Sequence, residues 1–231
     1  LEEADMLAAG DRAAPRGMLT ITAPIVSGRR VLRPILEGFL DDQPAVKATL
    51  LLLDRPVSLI EEGIDVALRI AHLQDSSMVA VQVGEVRRVV CAAPSYLARR
   101  PPVREPGDLS AHPCIALARF GQSAWSFPPA EGTTAPRHVP ITPRLVVNGV
   151  DAAVASAVEG HGITRVFSYH VADQVREGKL TIVLPEAEPP PLPVHLITPE
   201  GRLSVAKVRA FVDFAVPRLK AEFKRLARLT R

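Results

Sequence analysis

The sequence predicts an α/β protein built as two Rossmann-like lobes joined by two crossover strands, and three observations carry that expectation. Strand-like and helix-like segments alternate from Leu19 to Ile70, the order that produces a parallel sheet with helices on both faces. A comparable set recurs between Leu145 and Leu184. The stiff run Pro189-Pro190-Pro191-Leu192-Pro193 is then followed by only one strand, Val194–Thr198, and one long helix, Ser204 to about Leu229. That is too little for a third domain, so the economical solution returns the chain to the first lobe. Two lobes connected twice leave a cleft, and ligands of such sheets bind at strand carboxyl ends beside helix N-termini.

Each element has a local reason. Leu1–Ala9 has helix-forming composition, and Pro15-Arg16-Gly17 breaks the chain. Leu19–Thr22 alternates as a strand and stops at Ala23-Pro24. Ser27 or Gly28 opens a helix through Leu40 whose buried side carries Val31, Leu32, Ile35, Leu36, Phe39 and Leu40. Pro34 inside it removes one hydrogen bond or kinks it slightly. Val46–Leu53 is nearly all apolar, as in a strand buried on both faces. Asp54 is placed as the N-cap of a short helix, Val57–Glu62, which Gly63 ends. Ile64–Ile70, Met78–Val83 and Val86–Ala93 are the next strands, and Pro94 starts the second lobe.

In that lobe Pro106-Gly107-Asp108-Leu109 is a turn, and Trp125 and Phe127 share one face of a strand. Leu145–Val147 is a strand, Asn148 a cap for the helix Val150–Glu159, and Gly160 and Gly162 its end. Ile163–Phe167 is a strand, Ser168–Glu177 a helix and Leu180–Leu184 a strand.

Composition excludes several classes. The 231 residues are 47% hydrophobic and 23% charged, enough for real cores, with a net charge of only +3. Much of the basic excess lies in the terminal helix, where Lys220, Lys224, Arg225, Arg228 and Arg231 face only Glu222; cations suit a helix C-terminus. No dense basic face or recognition motif marks a nucleic-acid interface. No segment has the length of a membrane span, and the first residues have no apolar core of a signal peptide. The cysteines, Cys91 and Cys114, stand apart with no metal-ligand spacing, which suits inert thiols in a reducing cytosol. The six histidines form no HxH or HxxxH pair, and no cofactor motif is present. Ser168 and His170 lie two apart without a nucleophile elbow or an implied third partner, so an enzyme is not expected.

An ordered set of motifs then carries a resemblance. Leu19–Pro24, Asp54-Arg55 with Leu59–Ile70, Ala93–Ala98, Pro106–Leu109 with His112-Pro113-Cys114, Trp125-Ser126-Phe127, Asn148 with the helix to Gly162-Ile163, and Lys207–Phe214 follow in register. From about Gly17 to Leu219 the chain resembles the effector-binding domain of LysR-type transcriptional regulators. The resemblance implies a periplasmic-binding-protein-like fold with lobe I over residues 17–92 plus 194–229 and lobe II over 93–193. Residues 1–16 are similar to the end of a linker helix, and the DNA-binding winged helix-turn-helix is absent from this chain. A cytoplasmic homodimer or tetramer is implied, with no membrane contact and DNA bound only through the missing domain. The runner-up is a solute-binding protein of a transporter, which shares the fold.

The resemblance further implies a polar or anionic small-molecule effector in the interlobe cleft. Its contacts are Pro24, Ile25, Val26 and Ser27 after the first strand, Asp54, Arg69 and Ile70, Asn148 and Gly149, and the turn Val166, Phe167 and Ser168. Several of these have a second reading. Ser27 and Asn148 are equally good plain N-caps, and Arg69 suits a carboxylate or a salt bridge. Asp65 at a strand start suits backbone hydrogen bonding. Arg165 points into the cleft or out to solvent. Relatives often read Gly-Ile-Ala-Leu-Leu-Pro where this chain reads Gly162-Ile163-Thr164-Arg165-Val166-Phe167, and a hydroxyl residue where it has Val26.

Overall fold

In the computed structural model, which describes residues 14–73, 78–118 and 123–230, the chain divides into two units. The linker-helix end expected over residues 1–16 lies outside the described residues except for Ala14–Arg16, which are not helical.

The first unit takes the chain up to Glu85 and then Leu192–Lys224. Its sheet grows from β1 (Gly17–Ala23), whose Leu19, Ile21 and Ala23 are fully buried, as the alternation requires. β2 (Val46–Leu52) and β3 (Val66–Ile70) flank β1 in parallel. β12 (Leu192–Pro199) then pairs antiparallel with β3, Val194 opposite Ile70 and Ile197 opposite Ala67. With β4 (Met78–Val86) the order is β2-β1-β3-β12-β4. The long helix α6 spans Ala206–Arg228. Its buried Phe211 meets Phe39 edge-on at 5.2 Å between ring centroids, an arrangement that adds about 1 kcal/mol beyond burial.

Asp65 fastens the start of β3. Its side chain accepts the Thr20 N–H at 3.0 Å, its own N–H donates to the Thr20 carbonyl, and its carbonyl accepts the Thr198 hydroxyl at 2.8 Å. Arg202 at 3.4 Å and Lys207 at 3.7 Å balance the buried carboxylate. The backbone role expected for Asp65 is the one seen.

Three local expectations for this unit need correction. β2 is not buried on both faces: it is the edge strand, and Leu50, Leu51 and Leu52 are only half-buried. The helix after β1 begins at Ile25, with α1 (Ile25–Ser27) passing through a π-helical turn, Gly28–Leu32, into α2 (Arg33–Asp42). In that wider turn Arg33 N–H reaches the Gly28 carbonyl, and Pro34, which has no N–H to give, falls in the first turn of α2. Val57–Glu62 is no helix but turns: Glu62 N–H reaches Ser58 and Ile64 N–H closes back on Leu59, while Leu59 and Ile64 join a small apolar cluster with Ala67 and Ile197.

The second unit comprises Val86–Pro191 with the chain end from Arg225. Its sheet has the order β11-β5-β10-β6-β9. β5 (Arg88–Ala92) runs antiparallel to β10 (Ile163–Phe167) and β11 (Thr181–Val183), whereas β6 (Pro113–Leu117) is parallel to β10 and β9 (Thr142–Val147). β7 (Ala124–Phe127) and β8 (Arg137–Pro140) form a separate hairpin-like pair. Period-two alternation along β5 feeds two cores. Val90 and Ala92 join Trp125, Phe127, Ile141 and Ile163, while Val89 and Cys91 join Val166, Leu180 and the helix α4 (Val150–Val158) through Ala153 and Ala157.

Here too the structure differs from expectation. Residues 86–92 were placed in lobe I, yet among the described residues β5 pairs with β10 and β11 of the second unit's sheet, and the division falls after Glu85. Ser168–Glu177 is two short pieces, a 3-10 turn Ser168–His170 and α5 (Ala172–Arg176), because His170 folds back to accept the Phe167 N–H at 3.2 Å. Burial raises the Cys91 thiol to about 12 and Cys114 to about 11, consistent with unreactive thiols.

Gly162 brings its backbone against the Pro113 carbonyl, where a Cβ would collide with backbone that cannot turn aside. Gly162→Ala is expected to cost about 1–3 kcal/mol, read as a lower urea midpoint with an unchanged slope. His112 is buried, hydrogen-bonded to the Tyr96 hydroxyl at 3.0 Å, and desolvation lowers its pKa from the usual 6.5, helped by Arg100. The unfolded chain therefore takes up this proton first on acidification. Stability conferred by the neutral ring is full above about pH 6.5 and falls as pH drops through that value toward the depressed folded one. Urea denaturation across that window is expected to show this decline, and His112→Asn to flatten it.

Candidate functional site

The residues expected to touch an effector fall into two groups, one in each unit. In the first unit the N-terminus of α1 follows β1 directly, because Pro24 holds the extended backbone that a helix entry needs. Asp54, expected to cap a helix of its own, instead accepts the Ile25 N–H at 3.0 Å, and so caps α1 from across the loop. Ser27 is fully buried and its hydroxyl donates to the Pro24 carbonyl at 3.3 Å, one turn back, so it is neither an N-cap nor exposed. Val26 is buried and Ile25 exposed.

Arg69 lies half-buried on β3 directly opposite His195 of β12. One guanidinium nitrogen donates to the Leu68 carbonyl at 3.1 Å; another is buried with no hydrogen-bond partner among the described residues, as is His195 Nδ1. Burial lowers the Arg69 pKa, opposed by the charge of Glu62. Glu62 is itself ion-paired with Arg55 at 3.2 Å. Ile70 ends β3 beside it, half-buried.

In the second unit Asn148 and Gly149 are exposed. Gly149, not Asn148, holds the N-cap position of α4, and no side chain caps it. The Val166–Ser168 turn is more informative. Ser168 clamps the start of β5: its N–H donates to the Arg87 carbonyl at 2.8 Å and its hydroxyl accepts the Arg87 N–H at 3.2 Å. Arg87 in turn pairs with Glu188 at 2.8 Å, whose pKa burial raises against the opposing charge of Arg87.

Beside this clamp lies a small, half-open pocket lined by Arg88, Arg165, Val166 and Phe167, with a cavity volume of about 10 Å³. Strand register explains the group. Arg165 and Phe167 are two apart on β10, hence on one face, and Arg88 is the cross-strand partner of Phe167. Both guanidinium groups lie over aromatic rings, Arg88 over Phe167 at 5.4 Å and Arg165 over Phe127 at 4.7 Å. Arg165 is 8% exposed, and its Nε is buried with no hydrogen-bond partner among the described residues. Desolvation, with Arg88 as a like-charged neighbour, lowers its pKa to about 10. Arg165 is thus buried, with no acid paired to it among the described residues, and Arg88 was not among the expected site residues at all. The signal for it was the Arg87-Arg88 pair between two apolar runs, which carries meaning only once β5 is laid against β10.

Two α/β sheets, the first completed by a returning strand, and a basic pocket define a ligand-binding domain. Residues 12–220 match the family model for the LysR substrate binding domain, and the chain belongs to that family. It is 31% identical over 224 residues to an HTH-type transcriptional regulator of Xanthomonas campestris pv. campestris (strain 8004), covering 95% of this chain but 64% of that protein. It is 32% identical over 225 residues to an HTH-type transcriptional repressor of Pseudomonas aeruginosa (strain UCBPP-PA14), covering 94% and 68%. Among solved structures it is similar to the regulatory domain of CrgA, a LysR-type regulator from Neisseria meningitidis, with TM-score 0.75, 25% identity, and 89% of this chain and all of that one covered. The regulatory domain of AphB in Vibrio vulnificus aligns with TM-score 0.74 at 22% identity, over 89% of this chain and 100% of that one, a likeness of fold. The fold is therefore the periplasmic-binding-protein-like one of LysR regulatory domains, and the domain is an effector-binding one. The transporter alternative gains no support from these relatives, and no described helix is long and apolar enough to cross a membrane.

Asp54→Ala is expected to lower stability by about 1 kcal/mol through the lost cap on Ile25, measured by urea denaturation, with little change in spectroscopic helix content.

Proposed function

We propose that this chain is the sensing part of a cytoplasmic transcription regulator that works as a homodimer or tetramer. DNA is contacted through a helix-turn-helix domain of the full-length protein, and no catalytic step is involved. The relatives are named as HTH-type regulators, and the chain spans 64% and 68% of the two described above. The single observation that carries an effector site is the pocket at Val166 and Phe167, positions that the sequence resemblance marked independently. The effector is a polar or anionic small molecule that rests on Phe167. The self-association face is the α2 and β2 edge of the first unit, where Leu50–Leu52 stay half-buried in the single chain. A two-fold contact repeats such a face.

The test uses the full-length regulator and its promoter DNA. Compounds that raise the melting temperature of the chain are expected to change the DNA affinity of the full-length protein in fluorescence anisotropy. Phe167→Ala is expected to weaken such a compound about tenfold by removing apolar contact area. Stabilising compounds that leave DNA affinity unchanged would sink the regulatory reading.

A further inference from the structure

We infer that Arg87 is a positioning residue that latches the C-terminal end of α6 to the Val166–Ser168 turn, so that a displacement of the turn is passed to that helix end. The inference deepens the sensor reading and rests on it for its use in regulation. The latch itself stands on contacts within the second unit alone.

Segments far apart in sequence meet at this one residue. Its peptide is held by Ser168, whose N–H donates to the Arg87 carbonyl at 2.8 Å and whose hydroxyl accepts the Arg87 N–H at 3.2 Å. Its guanidinium reaches two further segments. One terminal nitrogen donates to both carboxylate oxygens of Glu188 at 2.8 Å, and the other donates to the Thr230 carbonyl. Arg87, Ser168, Glu188 and Thr230 all belong to the second unit.

The chemistry explains why an arginine serves here. The last carbonyls of a helix have no N–H partner within it, and a cation near that end answers both the free acceptors and the negative end of the helix dipole. Leu226 and Thr230 are both buried, so carbonyls at this end of α6 need donors from the protein. A guanidinium carries N–H groups on two edges of one rigid plane, so Glu188 can fix the plane while another edge serves Thr230. Glu188 is held in its turn: its side chain is 10% exposed, its N–H reaches the Pro185 carbonyl, and the preceding Ala187 lies in the core with Trp125 and Phe127.

The consequence lies in the continuity of α6. It is one helix, yet its residues up to Lys224 belong to the first unit and those from Arg225 to the second. No residue of the turn need touch α6 for the two to be linked. Ser168 fixes the Arg87 backbone, and the Arg87 side chain fixes Thr230. A ligand that draws on Val166 and Phe167 moves Ser168, the next residue, and with it the base of the latch. Coupling of this kind needs an element with a second state, and the locally opened end of α6 is that state.

Hydrogen–deuterium exchange of this chain, read by mass spectrometry, tests both halves. Arg87→Met keeps an apolar stem and removes the donors; exchange at residues 226–230 is expected to rise about tenfold or more, with β6 and β10 unchanged. Arg87→Lys should recover only part of the protection, since a point charge lacks the fork. Ser168→Ala leaves the guanidinium contacts in place and removes the acceptor of the Arg87 N–H, and a rise of about threefold over the same residues is expected. Glu188→Gln is a second probe should Arg87→Met fail to fold, with a rise of about threefold in the same segment. Unchanged exchange at residues 226–230 in folded Arg87→Met or Glu188→Gln, or a rise spread evenly over the whole chain, overturns the latch. Unchanged exchange there in Ser168→Ala overturns its link to the turn. Neither a compound nor DNA enters this measurement, so its failure counts against the latch alone, and failure of the sensor reading shows separately in promoter affinity.

Discussion

The antiparallel pairing of β12 with β3 is the contact on which the rest of the architecture depends. It joins Val194 to Ile70 and Ile197 to Ala67, residues separated by the whole of the second unit. Closing so long a loop costs only slowly rising entropy, provided that the enclosed chain folds on its own core. That condition is met: the cluster around Trp125, Phe127 and Ile163 and the one around Val89, Val166 and Leu180 both lie within the second unit. Asp65 then locks the junction, because one residue engages β1 through Thr20 and β12 through Thr198. Removing that residue would loosen three strands at once, and for that reason a buried carboxylate is tolerated there between Arg202 and Lys207.

The same economy appears at the loops that the resemblance marks. Polar side chains in those loops are spent on backbone groups that the turns leave unsatisfied. Asp54 takes the first free N–H of α1, Ser27 turns back on Pro24, and Ser168 exchanges two hydrogen bonds with Arg87. Such residues set the geometry of a site more than its chemistry, since their strongest acceptor or donor direction is already used. Two cations keep unsatisfied capacity as well: Arg69 in the first unit and Arg165 in the second each hold a buried nitrogen without a partner among the described residues.

How much of this was legible follows from how local each signal is. The apolar run Val86–Ala93 reads directly as a strand, and the spacing of Trp125 and Phe127 as one strand face; the structure places Trp125 and Phe127 together in one core and divides Val90 and Ala92 from Val89 and Cys91 between two. The return of the last strand could be argued from what was left after the Pro-rich run. Four consecutive leucines, by contrast, look the same in a central strand and in an edge strand, because hydrophobicity reports burial but not by what. Val57–Glu62 has helical composition, yet Leu59 and Ile64 are drawn into a cluster with Ala67 and Ile197, and packing overrode propensity. Asn148 had the right side chain one residue too early, with Gly149 taking the cap. Arg88 was invisible for a different reason: its meaning lies in cross-strand register, which no local pattern encodes.

The two arginines also show why this site resists reading by analogy. A strand interior usually carries an apolar residue at a position such as 165, and the period-two pattern gives no hint of an exception. An arginine is accommodated there with its guanidinium over the Phe127 ring at 4.7 Å while its stem fills core volume. Burial then lowers its pKa to about 10, still far enough above neutrality to keep the charge. The result is a permanent cation in a low-dielectric wall, where an anion is attracted more strongly than at the surface. Because Arg88 stands on the neighbouring strand, opposite Phe167, this field is fixed by hydrogen-bonded sheet.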